Sequence, residues 1–445
     1  MVEQIITNSA NGAISIIRLS GKGVIELLNN CIYIKEKNFL PDYFKASLLQ
    51  KCTFKTDDLN DSVMVVYFKN PRSYTGEDMV EIHAHGGIGI TSLIMKYFIE
   101  KGVRLAKNGE FTKRAFLNGK LDLSSAEGVL SLINSETAEQ VKNAYKLHSG
   151  VLKDKADEVL CQLKEMLSKM SACIDYPEEG IEEDTISEVE TKIKNLLNQI
   201  IKLKDSYDDG NLIKKGVDVV LTGEVNVGKS QLLNALVGSE SAIVTDIAGT
   251  TRDVIKDSYE YKGYKFNVFD TAGIRESEDK VERIGVEKAK MMVEKADIVL
   301  NVVDITTLSN TQTTHIYNKH KNIILVVNKV DLVNLNCFKN KVSYNDGIEI
   351  SALKNQNIDA LKEKIYQKTI NFTQKDIVLT EKRHYDCVFR GYTALKNALE
   401  NIKTSNIDLI YSDLMVSYQS IGEIIGIIAT DNIIDEVFSK FCVGK

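Results

Sequence analysis

Between the apolar run VDVVLT (217–222) and the amphipathic run that begins QLLNALVG lies GEVNVGKS, residues 223–230. A strand, a loop of the form GxxxxGK[ST] and a helix, in that order, leave few folds open, because the loop must wrap backbone N–H groups around an anion at a helix N-terminus. Gly223 and Gly228 allow those N–H groups to turn inward. Lys229 is placed to reach the β- and γ-oxygens of a nucleoside triphosphate, and the Ser230 hydroxyl is placed to ligate Mg²⁺. The expected nucleotide-binding run is Asn226, Val227, Gly228, Lys229, Ser230 and Gln231.

Downstream, apolar runs alternate with amphipathic ones: YKFNVFD, ADIVLNVVD, NIILVVNKV and GIEIS. That rhythm predicts a doubly wound, mostly parallel sheet with crossover helices over 215–372, a Ras-like P-loop G domain. In DTAG (270–273), Asp270 ends a strand and acts on Mg²⁺ through water. Thr271 and Ala272 lead to Gly273, whose N–H can meet the γ-phosphate. In NKVD (328–331), Asp331 can accept both donor hydrogens of guanine's Watson–Crick edge, a pair adenine does not supply. Asn328, Lys329 and Val330 shape that loop, with Asn328 and Lys329 bracing it and packing on the base. In SAL (351–353), flanked by Ser351 and Leu353, the Ala352 N–H is expected to meet the guanine oxygen. Four elements in this order imply a GTPase.

The residue after Gly273 is Ile274, where small GTPases commonly carry a glutamine that orients the attacking water. Isoleucine cannot do this. The first switch loop falls at TDIAGTTRD: Thr245, Asp246, Ile247, Ala248, Gly249, Thr250, Thr251 and on to Asp253. Thr251 is the natural Mg²⁺ ligand. The loop is rich in carbonyl and hydroxyl oxygens and faces Asn226, so two readings stand: a monovalent cation beside the β/γ bridge, or a merely flexible loop.

The 445 residues suffice for two to four domains and carry a net charge of −6, so no basic field draws the whole chain to nucleic acid. No apolar run approaches the ~18 residues of a membrane span, and MVEQIITNSANGAISIIRLSG does not read as a leader. Seven scattered cysteines without a CxxC pair suit a reducing cytosol. Residues 1–120 read as an α+β domain and 121–214 as helical, with Val151, Leu152, Val159, Leu160, Leu163 and Leu167 on one stripe. Residues 373–445 return to helices, so a helical domain is split around the inserted one. PEEGIEED (177–184) reads as a solvated interhelical loop or a docking loop. His83 and His85 alternate on a strand toward one face, without an evident third metal ligand.

Two N-terminal blocks and the tail carry a resemblance. SYTGEDMVEIHAHGG (73–87), GEFTKRAFLNGKLDL (109–123), TDIAGTTRD, DTAGIR with VERIGVEKA (281–289), and FCVGK (441–445) are together similar to the MnmE (TrmE) family of tRNA-modification GTPases. The resemblance implies a folate-binding dimerisation domain at 1–120, binding 5-formyltetrahydrofolate or a related one-carbon donor through Arg18, Glu81, Lys120 and Lys445. It implies K⁺ held by Asn226, Thr245, Ile247 and Thr250, and Glu282 orienting the water. It implies a role in modification for Cys442. It further implies a homodimer that assembles with a separate FAD-containing subunit, MnmG (GidA), as a heterotetramer, and installs an aminomethyl or carboxymethylaminomethyl group at C5 of the tRNA wobble uridine in the cytoplasm. Two positions depart from the family pattern: TNSANGAIS replaces its Gly/Pro-rich N-terminal segment, and Ala84 replaces a common cysteine. A ribosome-assembly GTPase and a stand-alone folate one-carbon transferase are the rival readings.

Overall fold

The computed structural model describes residues 2–6, 12–34, 37–38, 45–176, 182–238, 257–270, 291–307, 322–333, 347–370, 377–404 and 406–442. The chain divides into two compact units: Met1–Ile133, Tyr145–Asn198 and Asp386–Lys445 form the first, and Asn134–Ala144 and Gln199–Tyr385 the second.

The first unit begins with an eight-stranded sheet. Its strands are β1 (Val2–Ile6), β2 (Ile14–Ser20), β3 (Ile32–Ile34), β4 (Lys37–Asn38), β5 (Gln50–Lys55), β6 (Asn60–Phe68), β7 (Met79–His85) and β8 (Arg104–Leu105), in the order β4-β3-β5-β6-β7-β2-β1-β8. Helices α1 (Val24–Leu28) and α2 (Ile88–Glu100) belong to the same part of the chain. The alternation ISIIRLS in β2 and MVEIHAH in β7 sends Ile17, Leu19, Val80 and Ile82 into a core shared with Phe54, Ile94 and Phe98. Arg18, Glu81, His83 and His85 therefore take the opposite face. His83 lies 3.5 Å from Glu81 Oε2, and His85 Nδ1 lies 2.7 Å from Asp61 Oδ1. Among the described residues no cluster of three metal-ligating side chains occurs.

Helices α3 (Glu110–Leu117), α4 (Leu123–Ile133), α5 (Ala138–His148), α6 (Val151–Asp175) and α7 (Glu182–Lys215) follow, and α10 (Lys382–Ile402), α11 (Ile407–Ile425) and α12 (Asp431–Ser439) close the chain. The stripe on α6 is buried at Leu152, Val159, Leu160, Leu163 and Leu167, extended by Met166, Met170 and Cys173, and it packs against α11. Each such side chain contributes about 1.5–3 kcal/mol of transfer free energy. Val151, expected on this stripe, is only half-buried because it opens the helix before the first turn faces the core. The acidic run is divided: 177–181 lie outside the described residues, and Glu182, Glu183 and Asp184 already belong to α7 rather than to a loop.

The second unit is built on β9 (Val217–Thr222), α8 (Lys229–Val237), β10 (Asp257–Tyr261), β11 (Tyr264–Asp270), β12 (Ile298–Asp304), β13 (Ile323–Asn328), β14 (Gly347–Glu349) and α9 (Ile358–Thr369). The sheet order is β10-β11-β9-β12-β13-β14, parallel except for β10. Strand β9 is central and buried at every position but Asp218, as a strand covered on both faces must be. The sequence reading omitted β10. DSYEY looks polar, yet it pairs with β11 through a two-residue turn at Lys262 (φ 50°) and Gly263 (φ 85°), and the KG dipeptide was the available signal. This unit also reaches beyond 215–372. Asn143 bonds the Val378 backbone at both its N–H and C=O, Ser206 Oγ accepts from Leu379 N, and Gly210 of α7 lets the Leu379 carbonyl approach where any Cβ would collide. Among the described residues no helix is long and apolar enough to cross a membrane.

Candidate functional site

The carboxyl ends of β9, β11, β12, β13 and β14 share one edge of the second sheet, and β9 is where the strand order reverses, the usual ligand crevice of such a sheet. Gly223 (φ 140°) faces the Val302 carbonyl of β12, and Gly228 (φ 95°) faces the Asn328 amide. A Cβ at either would fall inside van der Waals contact. Asn226, at φ 68°, completes the turn, and Gly228 caps α8. Lys229 is 7% exposed and folds back into the loop, with Nζ 3.0 Å from Gly223 O and 2.7 Å from Glu224 O. Ser230 Oγ donates to Asp270 Oδ2 at 3.0 Å. A hydroxyl and a carboxylate so juxtaposed fit Mg²⁺, a hard cation that keeps several waters and takes few protein ligands.

Asn328 ties three loops together. Its Nδ2 donates to Val227 O in the phosphate loop at 2.9 Å, and its Oδ1 accepts from Ala352 N in the SAL segment at 3.0 Å. The Ala352 N–H, expected at the guanine oxygen, is donated here to the buried Asn328 side chain. Lys329 (φ 67°) donates to Asn226 O at 2.8 Å and to Asp304 Oδ2 at 2.6 Å. Burial would raise the Asp304 carboxyl, but Lys329 and the Thr306 N–H and hydroxyl overcome this and hold it below its ordinary range. Asp304 was missed by sequence reasoning, although it ends an apolar strand as Asp270 does. The Asp331 side chain is 7% exposed. A hydrogen bond from Ser351, above all, keeps its carboxyl ionised below the usual range, assisted by Lys354 at 3.9 Å. Leu353 is 72% exposed. Thr245, Asp246, Ile247, Ala248, Gly249, Thr250, Thr251, Thr271, Ala272, Gly273, Ile274, Glu282 and Lys445 lie outside the described residues.

In the first unit, Arg18 and Glu81 are direct cross-strand partners on β2 and β7. Arg18 Nε and Nη2 both donate to Glu81 Oε1, at 2.8 and 2.6 Å, and the guanidinium lies 5.5 Å from the Phe111 ring centre. A cavity of about 520 Å³ opens over this pair, lined also by Arg72, Tyr74, Ile133 and His148, and its size suits a bicyclic ligand. Lys120 does not line it. Expected at a helix start, Lys120 instead follows the end of α3, its N–H closing on Ala115 O, and its Nζ bonds Pro71 O at 3.0 Å beside Arg72. Cys442 is exposed, its carbonyl 3.5 Å from Gly109 N. Gly109 (φ 65°) leaves room for the Phe438 carbonyl at 2.6 Å from where a Cβ would stand, which seats the chain's last helix on α3. Nearby, Glu110 accepts from Arg104, Arg114 and the Lys107 N–H. Burial opposes ionisation, yet these donors bring Glu110 down to about 2.

The strand order, the phosphate loop and the NKVD–SAL pair define a P-loop GTPase domain, here joined to an α+β sheet domain and a helical domain. The chain belongs to the MnmE family of tRNA modification GTPases. The family model described as the MnmE helical domain matches residues 123–442, and that described as the GTP-binding protein TrmE N-terminus matches residues 2–120. The tRNA modification GTPase MnmE of Caldicellulosiruptor saccharolyticus is 38% identical over 100% of this chain and 99% of its own. Those of Natranaerobius thermophilus (40% identical, 88% of this chain, 87% of that one) and Carboxydothermus hydrogenoformans (37%, 100% and 99%) are similarly related.

Proposed function

We propose that this GTP hydrolase modifies C5 of the wobble uridine in tRNA together with a separate FAD-containing subunit, MnmG (GidA), drawing a one-carbon unit from 5-formyltetrahydrofolate or a related tetrahydrofolate. The observation that carries the nucleotide half of this reading is the tie through Asn328, which joins the phosphate loop to the loop whose ionised Asp331 can select guanine. Lys229 exchanges its two loop carbonyls for phosphate oxygens when GTP enters. Ser230 with Asp270 and Thr251 would hold Mg²⁺, and Asn226, Thr245, Ile247 and Thr250 would hold K⁺. Bound there, the two cations offset charge that develops on the phosphates. Glu282 orients the water, the task that Ile274 cannot perform.

In the first unit, Glu81 accepts the amidine-like edge of the pterin, as a carboxylate does from guanine, and Arg18 holds that carboxylate in place. Lys120 and Lys445 meet the anionic tail. The one-carbon unit becomes the methylene of the product, glycine or ammonia supplies the amine, and Cys442 takes part in modification. The chain acts in the cytoplasm as a homodimer that forms a heterotetramer with its partner. GTP turnover reorganises this complex and forms none of the new bonds itself.

Nucleoside mass spectrometry of tRNA from a deletion strain tests the reading: C5-aminomethylated wobble uridines disappear and return on complementation, and an unchanged nucleoside profile refutes it. Replacing K⁺ by Na⁺ lowers GTP turnover sharply with little change in GTP binding. Glu282→Ala lowers it by ~10²-fold.

A further inference from the structure

We infer that His148 is a specificity-determining hydrogen-bond acceptor that makes the Arg18–Glu81 cavity selective for a reduced pterin over an oxidised one; the inference rests on reading that cavity as the folate site. His148 ends α5 and lines the same cavity as Arg18 and Glu81 of the β2–β7 pair. Its Nδ1 lies 3.5 Å from Ser125 O. A carbonyl only accepts, so Nδ1 is the donor there and Nε2 is the ring nitrogen left to a ligand. The root of the side chain is fixed. Helix α4 presses Gly128 so closely on this turn that a Cβ at 128 would stand 2.7 Å from the His148 Cα.

The other polar groups of the cavity define what such an acceptor can read. Arg18 and Arg72 only donate. The Tyr74 hydroxyl is engaged with Thr112 Oγ1 at 3.0 Å, and Glu81 Oε1 is taken by Arg18. Acceptor capacity therefore remains at Glu81 Oε2, where His83 Nε2 lies at 3.5 Å, and at His148. This suits a bicyclic heterocycle with N–H groups to offer at more than one position. A tetrahydropterin has them: the 2-amino and N3–H pair, and the N8–H created by reduction. In fully oxidised folic acid N8 bears no hydrogen and is itself an acceptor, so it faces the imidazole lone pair without a proton between them.

The test is binding by the full-length protein, followed by calorimetry with 5-formyltetrahydrofolate and with folic acid. His148→Leu weakens 5-formyltetrahydrofolate by about 5–10-fold, the worth of one hydrogen bond, and leaves folic acid unchanged. His148→Gln, which retains an acceptor at similar reach, restores both the affinity and the selectivity. A far-ultraviolet circular dichroism spectrum like that of the wild type serves as the folding control. Should His148→Leu fail to fold, His148→Asn replaces it, because its shorter amide cannot reach: weak Asn with strong Gln supports the inference, and equal behaviour overturns it. Binding lost in Glu81→Gln but indifferent to every His148 variant overturns this inference and leaves the folate reading intact. If the wild-type protein binds neither compound, both fall.

Discussion

Replacing Asn328 by alanine tests whether the base loop and the phosphate loop are one mechanical unit. The side chain is 1% exposed and bonded at both ends, to Val227 O and Ala352 N. Val227 and Ala352 are themselves 4% and 6% exposed, so water cannot readily replace the lost partner. An orphaned buried backbone group costs about 1–3 kcal/mol, which puts Asn328→Ala near 3 kcal/mol for the pair. In a unit of this size that lowers the melting temperature by about 6–12 °C. The same sum, if the bound state requires both loops in place, weakens GDP by about 10²-fold. Calorimetric unfolding of the nucleotide-free protein and a fluorescent-GDP titration measure the two effects separately. A variant that loses GDP affinity but unfolds at the wild-type temperature would show that Asn328 touches only the nucleotide, and the tie described here would be wrong.

Asp331→Asn exchanges an ionised acceptor for a group that can also donate, so GTP affinity should fall by ~10²-fold while xanthosine triphosphate, whose C2 carbonyl needs a donor, becomes the better ligand; competition binding measures this. Gly223→Ala drives a Cβ into the Val302 carbonyl at a φ that L-residues avoid, and should cost at least about 3 kcal/mol, visible as a lower urea midpoint. Glu110→Gln should destabilise the protein by about 3 kcal/mol at pH 7. The sign follows from a folded pKa depressed from 4.5 to about 2: the contribution is complete above 4.5 and fades as pH falls toward 2. Urea midpoints of wild type and variant should therefore converge on acidification.

Elements whose chemistry is local were legible in the sequence. GEVNVGKS, NKVD and the alternating apolar runs fix the phosphate loop, the base loop and the parallel sheet, because strand burial and glycine sterics act over a few residues. What escaped depends on distant partners. Nothing in NVVD announces that Asp304 will meet Lys329, and nothing in SAL announces that the Ala352 N–H will be met by Asn328. His148 ends an ordinary amphipathic helix, and only the crossing of α4 and α5 brings it to a cavity with Arg18. Likewise DSYEY looks like a loop until β11 supplies its pairing partner. Lys120 shows the opposite failure: a helix boundary misjudged by a few residues moved a surface lysine in the reading.

The first unit is assembled from three separated stretches of chain, and this has a consequence for how the protein is made. Helix α6 leaves the ribosome with its apolar stripe complete at Asp175, but α11, which covers it, does not begin until Ile407. At ordinary translation rates the wait is on the order of 10–50 s, and the whole second sheet is synthesised meanwhile. A nascent chain stalled before Ile407 would present Leu163, Met166 and Met170 to whatever is nearby, which makes that interval the point at which truncated products are most prone to aggregate or to engage a chaperone.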